Sequence, residues 1–109
     1  MTIYRQGDVL LHRIDELPKT ATKRPRGKGP LVLAHGEATG HTHSIGSARV
    51  LMYAVADEFE RIGTAFVVVP NPGAVLKHQE HAPVKIPAGT YRVTRQREYI
   101  EGELLTVAD

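Results

Sequence analysis

A chain of 109 residues with 41% hydrophobic and 24% charged residues has the composition of one small globular domain, spanning 1–109. It holds no cysteine, which excludes a disulfide scaffold, a zinc ribbon and a cysteine nucleophile. The formal net charge of +2 is too small to demand a nucleic-acid partner, and no apolar run approaches the roughly 20 residues of a membrane helix, so a cytoplasmic protein without a membrane partner is expected.

Glycine and proline punctuate short runs rich in Val, Ile, Leu and Tyr, the pattern of many short strands. In chain order the runs Val9 to Ile14, Leu31 to Ala34, His41 to Ile45, Arg49 to Val55 and Ala65 to Val69 predict strands. Ala74 to His78, Val84 to Ile86 and Tyr91 to Ile100 follow, and Glu101-Gly102 predicts a hairpin onto Glu103 to Val107. Gln6-Gly7-Asp8 and Val69-Pro70-Asn71-Pro72-Gly73 are turns. Only Ala56 to Ile62 carries a helical pattern, worth at most one short helix. The reading is an all-β domain of about seven to nine short strands, closed as a small β-barrel or folded as a jelly roll.

The segment 18–30 (PKTATKRPRGKGP) has five basic residues, no acid and no large apolar side chain except at its neighbours. It is expected to be a flexible surface loop. Lys23, Arg24, Arg26 and Lys28 are its candidate contacts to phosphate or nucleic acid.

Six histidines stand at 12, 35, 41, 43, 78 and 81. In a strand His41 and His43 project from one face, so both imidazoles can reach one ion at about 2.1 Å each. Ile45 on that face would supply an apolar floor. His78 and His81 form a second pair that a bend before Pro83 could bring together. The candidate metal ligands are therefore His41, His43, His78 and His81, with His35 as a possible neighbour across the turn. His12, alternating with Leu10 and Ile14, reads as a half-buried histidine of the core face. Imidazole ligands point to Zn, Fe, Mn or Ni rather than Mg or Ca. Glu80, Glu37 and His81 are the candidate proton-handling groups.

Gly40-His41-Thr42-His43, followed later by Ile86-Pro87-Ala88-Gly89-Thr90-Tyr91, resembles the two motifs of the cupin family over roughly residues 36–95. The resemblance implies a double-stranded β-helix barrel with an HxH metal pair. The glutamate that follows that pair in the family is absent here, where Gly46, Ser47 and Ala48 stand. The family's later histidine is replaced by Tyr91-Arg92.

Tyr91, Val93, Arg95, Arg97 and Tyr99 alternate onto one strand face. Tyr91, Arg95 and Arg97 are the candidate residues for an anionic substrate, arginine being suited to bidentate contact with carboxylate or phosphate. The leading expectation is a metal-dependent enzyme acting on a small anionic substrate, a hydrolase ahead of an oxygenase-like activity. The alternatives are a nucleic-acid- or ribosome-associated protein and a non-catalytic metal-binding module. A homodimer through an edge strand is also expected.

Overall fold

Val9 and Leu11 are fully buried while Leu10 and His12 between and beyond them are half-buried, the two-residue period of a strand with one face on a core. The same alternation recurs along most of the chain. The computed structural model describes residues 2–35, 40–55, 64–100 and 103–106. Twelve strands run in the order β1 (Ile3–Gln6), β2 (Val9–Ile14), β3 (Thr22–Lys23), β4 (Leu31–His35), β5 (Thr42–Ile45), β6 (Leu51–Ala54), β7 (Ala65–Val69), β8 (Ala74–Lys77), β9 (Val84–Ile86), β10 (Gly89–Arg95), β11 (Arg97–Ile100) and β12 (Glu103–Thr106). No helix occurs among the described residues, and Ala56 to Ile62, where a short helix was expected, lies outside them.

The protein is a small all-β domain. One sheet has six strands in the order β1-β2-β10-β7-β6-β3, a second has four in the order β4-β5-β8-β9, and β11 and β12 form a separate hairpin. The strand pairings among the described residues are antiparallel. The two larger sheets share one apolar core. Val9, Leu11, Val67, Val69, Tyr91 and Val93 come from the first sheet, and Leu31, Ile45, Leu76 and Ile86 from the second. Two sheets closing on one core hide an apolar face that neither could leave in water.

Three expectations change. First, there are more strands than the seven to nine expected. The short polar β1 pairs fully with β2, from Ile3↔His12 to Gln6↔Val9. Second, Tyr91 to Ile100 is not one strand. β10 ends at Arg95 and β11 begins at Arg97, with Gln96 between them donating its backbone N–H to the Asp8 carbonyl at 2.6 Å. Third, the basic segment is tied down rather than loose. Thr22 and Lys23 pair with Ala54 and Tyr53, and the Arg24 N–H donates to Met52 O at 2.8 Å. The Arg26 guanidinium donates to Ser47 O, Val50 O and Gly29 O at 2.6, 2.8 and 3.2 Å.

No helix among the described residues is long and apolar enough to cross a membrane.

Candidate functional site

The β1–β2 hairpin turns in two residues, Gly7 and Asp8, since Gln6 pairs with Val9. Gly7 has φ +58°, as the tight turns that match strand twist require at this position. The turn carries Asp8 inward, where it is 1% exposed. A buried carboxylate needs partners. Arg95, at the end of the inward face of β10, supplies them: its Nε donates to Asp8 Oδ2 at 2.8 Å and its Nη2 lies 2.6 Å from the same oxygen.

β5 faces Asp8 from the other sheet. His43 and Ile45 point inward and are both fully buried, as the strand period demands. His43 Nδ1 lies 2.9 Å from Oε1 of the buried Gln6. The Gln6 amide nitrogen donates to Leu76 O at 2.9 Å and Ala82 O at 3.0 Å. Those bonds fix which end of the amide is oxygen, so His43 Nδ1 carries the proton that Gln6 accepts. The lone pair of neutral His43 is then on Nε2, which stands 3.5 Å from Asp8 Oδ1.

His78 to His81 form a bend after β8. His78 Nδ1 accepts the backbone N–H groups of Glu80 at 3.0 Å and His81 at 3.2 Å. Gln79 Oε1 accepts the Thr42 N–H at 2.9 Å, stitching the bend to β5. The four expected histidines meet as a result. Ring centroids are 4.4 Å apart for His43 and His78, 4.6 Å for His78 and His81, 5.3 Å for His41 and His78, and 6.0 Å for His43 and His81. His81 Nε2 is buried with no hydrogen bond among the described residues. It crowds Gly7, where a Cβ would meet it at 2.7 Å and His43 Cε1 at 3.3 Å. Glycine is therefore what lets the hairpin turn come up against the two rings.

The members differ in what they offer. With Nδ1 accepting two backbone donors, neutral His78 keeps its proton on Nε2, so as it stands it organises the bend and has no ring lone pair directed at an ion. His43 shows the opposite arrangement, with its Nδ1–H held by the Gln6 oxygen, which is how metal-ligating histidines are normally supported. Among the described residues no group of three or more His, Asp or Glu side chains is set to hold a metal ion as the side chains stand.

Other expected site residues fall elsewhere. His35 pairs with Thr42 while Ala34 pairs with His43, which puts His35 on the opposite face of the sheet from His43. Glu80 is largely exposed, 3.6 Å from His41 Nδ1 at the mouth of the cluster. Glu37 lies outside the described residues, as does the side chain of Arg97. Tyr91 is fully buried and its hydroxyl donates to Pro87 O at 2.7 Å. Burial raises its pKa, keeping it a neutral donor. It is a core residue rather than a substrate contact. Arg95 is likewise committed to Asp8 rather than open to a substrate. His12 is half-buried, with Nε2 3.2 Å from Thr94 Oγ1. Desolvation first, and then the charge of Arg92, hold its pKa below 6.5.

Asp8, Gln6 and Gly7 were not among the residues expected to serve the site. A Gly-Asp pair between two alternating runs marks a hairpin turn, but nothing in it points to histidines more than thirty positions away.

Lys23, Arg24, Arg26 and Lys28 line an open trough of about 750 Å³ on another part of the six-stranded sheet, together with Pro25, Gly27, Gly29, Ala48 and Leu51. A depression of about 190 Å³ lined by Thr42, Ser44, Lys77, His78 and Gln79 adjoins the histidine cluster.

The family described as a domain of unknown function, DUF8820, matches residues 5–96. No curated protein and no solved structure matches the chain.

Proposed function

The chain belongs to the DUF8820 family, and we propose that it is a histidine-ligated transition-metal protein whose ion serves hydrolysis of a small anionic substrate. Asp8 Oδ1, His43 Nε2 and His81 Nε2 are the ligands, with His41 at the mouth. The observation that carries this reading is the 3.5 Å separation of His43 Nε2 and Asp8 Oδ1, both side chains fully enclosed. A lone pair facing a carboxylate oxygen in a dry site is repulsive unless a proton or a metal ion lies between them, and a metal ion is the occupant proposed. Two ligands each about 2.1 Å from a tetrahedral ion stand about 3.4 Å apart, close to that separation.

Loading requires His81 to turn its Nε2 toward the pair. Gln6 would hold His43 in its ligating tautomer, and Arg95 would hold Asp8 Oδ2 so that Oδ1 is the coordinating oxygen. The Gly40-His41-Thr42-His43 segment, which resembles the first cupin motif, supplies the strand that lines this site. Three protein ligands leave a position open for water, whose pKa a zinc ion would lower toward about 7. Lys77 and the hydroxyl-bearing Thr42 and Ser44, around the adjoining depression, suit an anionic substrate, and Glu80 beside His41 is placed to move protons at the mouth.

The donor set of two imidazoles and one carboxylate favours a second reading, a mononuclear iron site for oxygen chemistry. Elemental analysis separates the two. Tag-free protein purified without chelator should carry one equivalent of transition metal, and His43→Ala and Asp8→Asn variants should carry none. Zinc supports the hydrolytic reading and iron the oxygenase reading. A folded wild-type protein that stays metal-free after reconstitution overturns both.

A further inference from the structure

The β11–β12 hairpin pairs with neither of the two larger sheets. A two-stranded ribbon is marginal in water on its own and gains stability from a third strand or a covering surface. Its register sets Glu98 opposite Leu105 and Ile100 opposite Glu103. By strand period these four positions fall on one face, two acidic and two aliphatic. From Arg97 to Asp109 the chain carries one basic and four acidic residues.

A surface of the opposite kind lies at the far edge of the six-stranded sheet. Arg26 is half-buried and donates to the carbonyls of Ser47, Val50 and Gly29, with Ile45 O at 3.5 Å. It pins the strap 22–29 in place, with the β3–β6 pairing as the second anchor. The trough beside this strap is more apolar than polar. Pro25, Ala48 and Leu51 line it together with the exposed Lys23 and Lys28, and no carboxylate lines it among the described residues. Cations set among aliphatic groups match a segment that interleaves carboxylates with aliphatic side chains, an alternation that a polyphosphate lacks. β3 is also the outermost strand of its sheet, so its outer edge is open to a further strand.

The hairpin of the same copy is badly placed to fill this trough. Arg92, Phe66, Tyr53 and Lys23 stand in one line across the sheet. Three strand spacings put Lys23 about 14 Å from Arg92. Arg97 lies about 16 Å further along the chain direction, and at Gln96 the chain still keeps to the β2 side, bonded to Asp8 O. The four-residue strands of the hairpin span only about 13 Å.

We infer that the trough receives the β11–β12 hairpin of a second copy of this chain, with Lys23 and Lys28 meeting Glu98 and Glu103 and the aliphatic residues of both surfaces packed together. Exchanged about a two-fold axis, the contact occurs twice and closes a dimer. The inference does not depend on a metal at the histidine cluster.

Sedimentation equilibrium of the full chain, in chelator, tests it. Wild type should dimerise. Lys23→Glu/Lys28→Glu sets like charges against the hairpin and should weaken dimerisation at least about tenfold, and Glu98→Lys/Glu103→Lys should do the same from the other side. Mixed in equal amounts, these two variants should associate, because each hairpin then meets a trough of opposite charge. Circular dichroism confirms that both fold. Lys23→Gln/Lys28→Gln or Glu98→Gln/Glu103→Gln, read for weakening alone, replaces a variant that does not. A wild-type protein still monomeric at about 1 mM overturns the inference. Folded variants that dimerise as tightly as wild type also overturn it and move the interface to another edge, such as β1. So does a mixture of the two charge-reversed variants that fails to associate.

Discussion

His43 Nε2 and Asp8 Oδ1 face each other at 3.5 Å from opposite sheets, with neither side chain exposed to solvent. The partners behind them are as specific as the contact itself. Gln6 holds the far nitrogen of the histidine, and Arg95 holds the far oxygen of the carboxylate. The outer atoms are saturated and the inner ones point at each other. The proposed ion would lie between them, and the predictions below probe each support in turn.

Gln6→Leu removes the acceptor for His43 Nδ1–H and strands the carbonyls of Leu76 and Ala82. The expected loss is about 2–3 kcal/mol, the cost of leaving buried polar groups unsatisfied. Transition-metal affinity should fall by about 10–100-fold, because the supporting oxygen fixes the ligating tautomer. Urea denaturation and a competitive zinc titration measure the two effects. Unchanged metal affinity in a folded variant would count against His43 as a ligand.

Arg95→Met leaves the Asp8 carboxylate enclosed without its counter-charge. In the presence of chelator the variant should lose about 3 kcal/mol, the lower end for a broken buried pair because Arg95 keeps some exposure. Adding Asp8→Asn should recover part of that loss, since it removes the uncompensated charge. Strict additivity of the two changes in denaturation experiments would contradict the pairing.

Gly7→Ala puts a Cβ within 2.7 Å of His81 Nε2 at a backbone φ of +58°. The backbone conformation alone costs about 1–2 kcal/mol for an L-residue. The histidine must also retreat, so the imidazole resonances of His43 and His81 should shift together in an NMR spectrum. A variant with wild-type stability and unshifted rings would refute the close approach.

His12 has a folded-state pKa below 6.5, so the unfolded chain takes up its proton first as pH falls. Its contribution to stability is intact above 6.5 and is lost as pH drops through the folded value. Wild type should therefore lose more stability than His12→Gln between about pH 7.5 and about pH 5, the difference isolating His12 from the other histidines. An NMR titration placing the His12 midpoint above 6.5 would reverse the sign and refute the assignment.

Much of the fold was legible in local pattern. Alternation in Val9 to Ile14, the β-rich Ala65 to Val69 and the turn Pro70 to Gly73 all mark elements by rules that act over a few residues. The His41-Thr42-His43 spacing put two rings on one strand face, and in the structure each stands against His78, which the bend before Pro83 was expected to bring near together with His81. What the local pattern left open was destination. Tyr91, Val93 and Arg95 share a face on either reading, but only the stacking of two sheets makes that face a core and brings Arg95 to a buried Asp8.

The sequence by itself determined the short strands, the turns between them and a histidine-rich strand and bend. These follow from backbone sterics and side-chain period, which neighbouring residues settle among themselves. The tertiary structure alone decided that a two-residue hairpin turn delivers Asp8 to His43, that Gln6 sets the tautomer of that histidine and that Arg26 pins a strap expected to be loose. Those contacts join residues 21 to 37 positions apart, and they arise because buried charges and amides must find partners wherever the packing of the sheets places them.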